Sequence, residues 1–248
     1  FGVISIYLRR FLQETPVFKK MRESKALAKF PLEEVVKTSR FGIWISMFIT
    51  WVLTGCIVVF ILLMPGFVGG VLGFSPFETT YFQMGGLVCI VSSCWLTGRL
   101  ADKHNPSTLC ILFSAGFAVS SVAFFSLLYT AAPVVSEVVL AYFATCFFAG
   151  IMNFCPIFMC DVFPARIRFS GISFAYNIAY ALSGAFTPQL SFALHAYAKT
   201  HPDTLGAMGL SAYIVFLALV SIGTALAMRR VYKNGGAAVS QMEFRPAP

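Results

Sequence analysis

Long apolar runs separated by short polar segments make up most of the chain. Six runs stand out: residues 41–64, 81–96, 107–132, 134–159, 171–194 and 207–228. A helix needs roughly 20 apolar residues to cross the hydrocarbon layer of a bilayer. Five runs reach that length, and the short one at 81–96 is expected to begin earlier, near Phe77. Only helices and closed barrels satisfy the backbone inside lipid. Barrel strands are about 10 residues long and alternate in polarity, whereas these runs are longer and apolar on every side. The pattern predicts an all-α integral membrane protein with a six-helix transmembrane bundle over residues 41–230.

The flanks read differently. Residues 1–40 combine the last turns of a preceding helix (1–8) with a basic connection. That connection is broken at Glu14-Thr15-Pro16 and holds a helix start at Pro31-Leu32-Glu33-Glu34, with proline first and acids in the first turn. Residues 231–248 form a Gly/Ala-rich tail expected to be disordered. Turn residues mark the connections on one side of the membrane: Pro65-Gly66 with Gly69-Gly70, Ala132-Pro133, and His201-Pro202-Asp203. The chain opens on Phe1 without a signal-peptide pattern. The expectation is a chain lacking an N-terminal part.

Charge sharpens the topology. The 18 Lys and Arg against 10 Asp and Glu give a net charge of +8, which by itself would suit a nucleic-acid partner. Its distribution points to a membrane instead. Nine cations lie between Arg9 and Arg40. Arg99 and Lys103 fall in the second connection, Arg166 and Arg168 in the fourth, and Arg229, Arg230, Lys233 and Arg245 follow the last run. With alternating spans, 17 of the 18 cations share one side and only Lys199 lies opposite. Positive residues stay cytoplasmic, so both ends are expected inside, in a bacterial inner (plasma) membrane. The seven cysteines lie in or beside apolar runs with no C-x-x-C pair. They read as small packing residues, with no metal or cofactor expected.

Chemistry-bearing residues are few. No nucleotide-binding loop or hydrolase pattern is present, so an enzyme is not expected. All ten acids lie outside the apolar cores. An intramembrane carboxylate is the usual proton relay, so any proton-coupled step would place it elsewhere. Gly98-Arg99-Leu100-Ala101-Asp102-Lys103-His104 forms a tight loop in which Asp102, beside Lys103, is suited to a switchable ion pair. Asp161-Val162-Phe163-Pro164-Ala165-Arg166-Ile167-Arg168-Phe169-Ser170-Gly171 mixes charge with Phe163 and Phe169, which implies docking rather than a solvated turn. In the fifth run Gly171, Ala175, Ala179 and Ser183 recur every four residues, a stripe for close helix packing.

Beside that stripe lie Tyr176, Asn177 and Tyr180. At 100° per residue Asn177 sits about 200° from Ala175 and so points away from the seam. Asn153 and Gln83 pose the same question as Asn177, because a buried amide either lines a cavity or makes a structural hydrogen bond. Ser46, Thr50 and Thr54 share one face, where back-bonding to the helix carbonyls is the ordinary role. Pro156 and Pro188 are expected to kink their helices. His195 reads as an interfacial residue rather than a proton carrier.

The same residues carry a resemblance. Gly98 to Pro106 is similar to the loop motif G-x-L-a-D-R-x-G-R-R-P of the major facilitator superfamily, with Asn105 in place of the glycine and Pro106-Ser107 in place of the arginine pair. Arg9-Arg10-Phe11-Leu12-Gln13-Glu14-Thr15-Pro16-Val17-Phe18 resembles the R-R-x-L-x-E-T-P-x-F stretch of its metabolite:proton symporter family. Asp161 to Gly171 resembles that family's E-x-F-P-x-x-x-R-x-S-G, with Asp161 for Glu, and Tyr176-Asn177 its Y-N pair. The resemblance implies the C-terminal half of a twelve-helix transporter that works with a missing N-terminal six-helix half. It further implies proton-coupled symport of a small organic solute, such as a carboxylate or a betaine- or proline-like osmolyte, by alternating access. It places Asn153, Asn177, Tyr176, Tyr180, Thr50 and Gln83 as cavity candidates. Gly98, Asp102, Lys103, Asp161, Arg166 and Arg168 become loop and gating candidates. The competing reading is a truncated, non-transporting membrane protein or a membrane scaffold.

Overall fold

The computed structural model describes Tyr7, residues 31–201 and residues 204–233. The expected end of a preceding helix, the Glu14–Pro16 breaker and the tail beyond Lys233 lie outside the described residues. Among the described residues the chain is helical, without a strand. The elements are α1 (Pro31–Thr38), α2 (Arg40–Leu72), α3 (Pro76–Ala101), α4 (Pro106–Leu128), α5 (Val135–Val162), α6 (Ala165–Thr200) and α7 (Thr204–Lys233). Five are long and apolar enough to cross a membrane: α2, α3, α4, α5 and the Met208–Lys233 part of α7. The fifth apolar run became α6, which is 36 residues long. Its Ser, Tyr, Asn, Thr and Gln residues dilute the run and keep it out of that apolar class.

α2 departs from the turn expected at Pro65-Gly66. The helix widens to π geometry over Ile57–Leu63 and restarts as α-helix at Met64, with Pro65 in its first turn. A proline is harmless there, because an amide in the first turn needs no partner within the helix. The true turn comes later, at Gly73, whose φ of 69° is left-handed and whose N–H bonds to the Gly69 carbonyl at 3.1 Å. Ser75 then caps α3. Its Oγ accepts from the Glu78 N–H at 3.4 Å, while the Glu78 carboxylate accepts from the Ser75 N–H at 2.7 Å.

The π segment explains Gln83. Widening a helix shifts carbonyls away from their usual donors. Two side chains from other helices meet them: Gln83 Nε2 donates to the Ile61 carbonyl at 2.7 Å, and Tyr142 Oη to the Phe60 carbonyl at 3.0 Å. Gln83→Leu should therefore lower the stability of the detergent-solubilised protein by about 1 kcal/mol. Thermal unfolding checks this, and an unchanged midpoint would show that the carbonyl finds another donor.

The helices close on two seams. α4 and α7 run side by side, pinned where Ser114 Oγ donates to Ser221 Oγ at 2.8 Å, with Cys110 Sγ 3.3 Å from the same hydroxyl. α6 lies against α2 along Gly171, Ala175, Ala179 and Ser183, all buried. The stripe continues through Thr187 and Ser191, also buried. Phe60, Phe117, Phe124, Phe125 and Tyr142 fill the space between α2, α4 and α5, each almost fully buried.

Candidate solute cavity and inner gate

The polar residues of the spans separate into two groups. Asn153 ends a tight 3-10 stretch, Ala149–Asn153, inside α5. Pro156 follows within a turn and offers no N–H to that stretch. Asn153 Nδ2 donates to the Cys94 carbonyl and to Thr97 Oγ1, both at 3.2 Å. It also lies where a Cβ on Gly98 would approach it, at 3.5 Å. Asn153 therefore ties α5 to α3 beside the start of the loop motif. Gln83 is likewise spent on α2. Both amides make hydrogen bonds between helices.

The second group lies on α2 and α6. Thr50 Oγ1 is buried, 3.8 Å from Cys155 Sγ, and Thr54 Oγ1 back-bonds to the Thr50 carbonyl at 2.9 Å. Tyr176 and Tyr180 stack with ring centroids 5.4 Å apart. Asn177 is exposed on the face away from the small-residue seam, its Nδ2 donating to the Ser173 carbonyl at 2.7 Å. Asn153 and Asn177 are thus engaged separately, on α3 and on α6 itself. Sequence reasoning passed over a third network, in which Tyr213 Oη meets Thr187 Oγ1 at 2.7 Å and accepts from Trp51 Nε1 at 3.3 Å. The available signal was general: a Trp or Tyr inside a span needs a partner for its polar end. At the opposite end of the bundle Tyr129 Oη meets His195 Nδ1 at 2.5 Å, and the His195 ring stacks on Phe67 at 4.0 Å. His195 there clasps α2, α4 and α6 together.

The α5–α6 connection builds the cation-rich end. Phe163 is fully buried, and its ring occupies the space a Cβ on Gly42 or Gly171 would need, at 2.8 and 2.6 Å. Val35 of α1 and Ile167 of α6 pack with it. Arg168 Nε donates to the Phe163 carbonyl at 3.1 Å. Arg166 forms an ion pair with Glu34 of α1, a partially buried contact. The neighbouring acid, Asp161, instead accepts a hydrogen bond from Tyr232 Oη at 2.5 Å. Arg166 and Asp161, close in sequence, thus serve different helices. Asp102 and Lys103 are exposed at the end of α3, their N–H groups bonded to the Gly98 and Leu100 carbonyls. Among the described residues no ion pair holds Asp102.

A short helix pinned onto the α5–α6 connection, a glycine-led loop between α3 and α4, and a bundle of long apolar helices match the order of the loop motifs. The family model for the Major Facilitator Superfamily matches residues 1–188. The chain belongs to the Major Facilitator Superfamily. It is 28% identical over 222 residues to the inner membrane metabolite transport protein YhjE of Escherichia coli (strain K12), covering 84% of this chain and 47% of that protein. It is 23% identical over 235 residues to a putative metabolite transport protein of Haemophilus influenzae, covering 88% of this chain and 50% of that one. Against a putative proline/betaine transporter of Staphylococcus haemolyticus it is 21% identical over 190 residues, covering 75% of this chain and 40% of the transporter. The chain spans about half the length of the curated relatives it matches, and no solved structure matches it. These relatives are named as transport proteins, and five helices of this chain are long and apolar enough to cross a membrane.

Proposed function

We propose that the chain is one six-helix half of a proton-coupled symporter for a small organic solute, a carboxylate or a betaine- or proline-like osmolyte. The halves rock about a site near the midplane. The observation that carries this reading is the two-sided character of α6. One face is a buried small-residue stripe on α2, and the other presents Asn177 and Tyr180 outward. At 36 residues α6 is long enough to cross. An amide on an exposed face inside lipid is costly, whereas facing a partner half across a water-filled cavity it is solvated. α6 is then the sixth crossing, both ends are cytoplasmic, and Tyr176, Asn177 and Tyr180 form a cavity wall with Thr50 behind it. Asn153 and Gln83 hold the wall in place. The titrating carboxylate of a proton symporter belongs to the other half, since the acids on α3 and α5 lie at helix ends: Glu78 and Glu137 in first turns, Asp161 in the last turn of α5.

The test is uptake of labelled glycine betaine and proline by vesicles containing the full-length carrier. Asn177→Leu should reduce uptake at least tenfold while membrane insertion is unchanged. Uptake at the parent rate would remove Asn177 from the cavity. Saturable uptake by residues 1–248 as a monomer would overturn the half-transporter reading.

A further inference from the structure

We propose that the start of α4 and the cation-rich C-terminal end of α7 form a binding site for the head group of an anionic phospholipid. The Ser114–Ser221 hydrogen bond fixes the register of the two helices. Two turns further along α7, that register brings Arg229 to the first turn of α4, where its guanidinium donates to Thr108 Oγ1 at 3.0 Å. Arg230 follows it, exposed, and Lys233 is exposed one turn on. The first turn of α4 holds no acidic residue; its cap is the neutral Asn105, whose Oδ1 accepts from the Ser107 N–H at 2.9 Å, so the positive dipole end meets no negative charge of its own helix. Ser107, beside Thr108, has a fully buried Oγ without a hydrogen-bond partner.

The acids at this end are committed or unengaged. Asp161 takes the Tyr232 hydroxyl, and among the described residues Asp102 makes no ion pair. Neither Arg229 nor Arg230 has a carboxylate partner among the described residues. Two guanidiniums, one held against a neutral hydroxyl at the rim of two apolar helices, offer donors in the fork geometry that matches phosphate. Basic sites between helix ends at a membrane surface recognise lipid head groups in this way. The apolar flanks of α4 and α7, exposed at Leu112, Phe216 and Leu219, suit acyl chains, which a free phosphate ion lacks.

Native mass spectrometry of the full-length protein in detergent tests the site, titrating phosphatidylglycerol, phosphatidylcholine and inorganic phosphate. The parent should retain phosphatidylglycerol in preference to phosphatidylcholine, and inorganic phosphate should not displace it. Arg229→Ala with Arg230→Ala should weaken phosphatidylglycerol binding roughly thirtyfold. Lys199→Ala, which removes one cation at the other end of the bundle, should bind as the parent does. Arg229→Lys with Arg230→Lys, which keeps both charges and controls for folding, should remain within about threefold of the parent. Equal retention by the double alanine variant and the parent overturns the proposal. So does displacement by inorganic phosphate, which would make the ligand a free anion.

Discussion

Reversing Arg166 to Glu is expected to cut solute uptake by the full-length carrier more than tenfold, and adding Glu34→Arg in the same protein should restore most of it. The ion pair joins residues 132 positions apart and holds α1 on the α5–α6 connection. Both side chains are 22% exposed, so the pair is screened less than a surface pair. Around it, Val35 is buried against Phe163 and Ile167, and Phe163 wedges between α2 and α6 at Gly42 and Gly171. Arg166→Glu places two carboxylates together and pushes α1 off this wedge. If the contact belongs to a gate that opens and closes, transport falls while equilibrium solute binding, measured calorimetrically, stays within about threefold. Failure of the swapped pair to recover uptake would show that Arg166 acts on something other than Glu34. Lost binding with insertion preserved would move Arg166 into the solute site.

Gly86→Val should strongly destabilise the bundle. A Cβ at position 86 would lie 2.5 Å from Tyr142 Cε1, 2.7 Å from its Oη and 2.8 Å from its Cζ. Tyr142 cannot easily yield. It is 1% exposed, its ring stacks on Phe82 at 4.1 Å, and its hydroxyl is committed to the Phe60 carbonyl at 3.0 Å. Overpacking alone costs about 1–3 kcal/mol. Displacing the ring also strands the Phe60 carbonyl, which adds about 1–3 kcal/mol. A drop of roughly 10 °C in the unfolding midpoint is expected. A maleimide dye reports it as label gained above that taken by the exposed Cys160, because Cys56, Cys110, Cys146 and Cys155 are all buried in the folded bundle. A midpoint within about 1 °C of the parent would mean that α3 and α5 can separate without loss.

These two sites divide along the same line as the rest of the molecule. The small-residue stripe of α6, and Asn177 pointing away from it, follow from helical periodicity, a local property. The apolar runs likewise foretold six long helices, because length and continuous apolarity are what a bilayer demands of each segment separately. At α6 the two criteria part: the helix is present, but its polar residues leave it less apolar than the five others. Asn177 and Tyr180 sit on the face away from the buried stripe, whereas Ser183, Thr187 and Ser191 belong to it.

Pairing between distant segments was not legible. The connection beside Pro65 read as a turn, yet the chain stays helical to Leu72, because a π segment precedes the proline and side chains from α3 and α5 satisfy its carbonyls. Asn153 and Asn177 looked alike as amides in apolar runs. Packing gave one to Cys94 and Thr97 and left the other exposed. Arg166 lay near Asp161 in sequence and went to Glu34, while Asp161 went to Tyr232. Helix length and the small or polar face of each helix were readable from the residues alone, since each is a property of one segment. Which buried polar group meets which followed from the fold. A donor in a dry interior takes whatever acceptor the neighbouring helix brings within 3 Å, and that neighbour is set by the packing of the whole bundle.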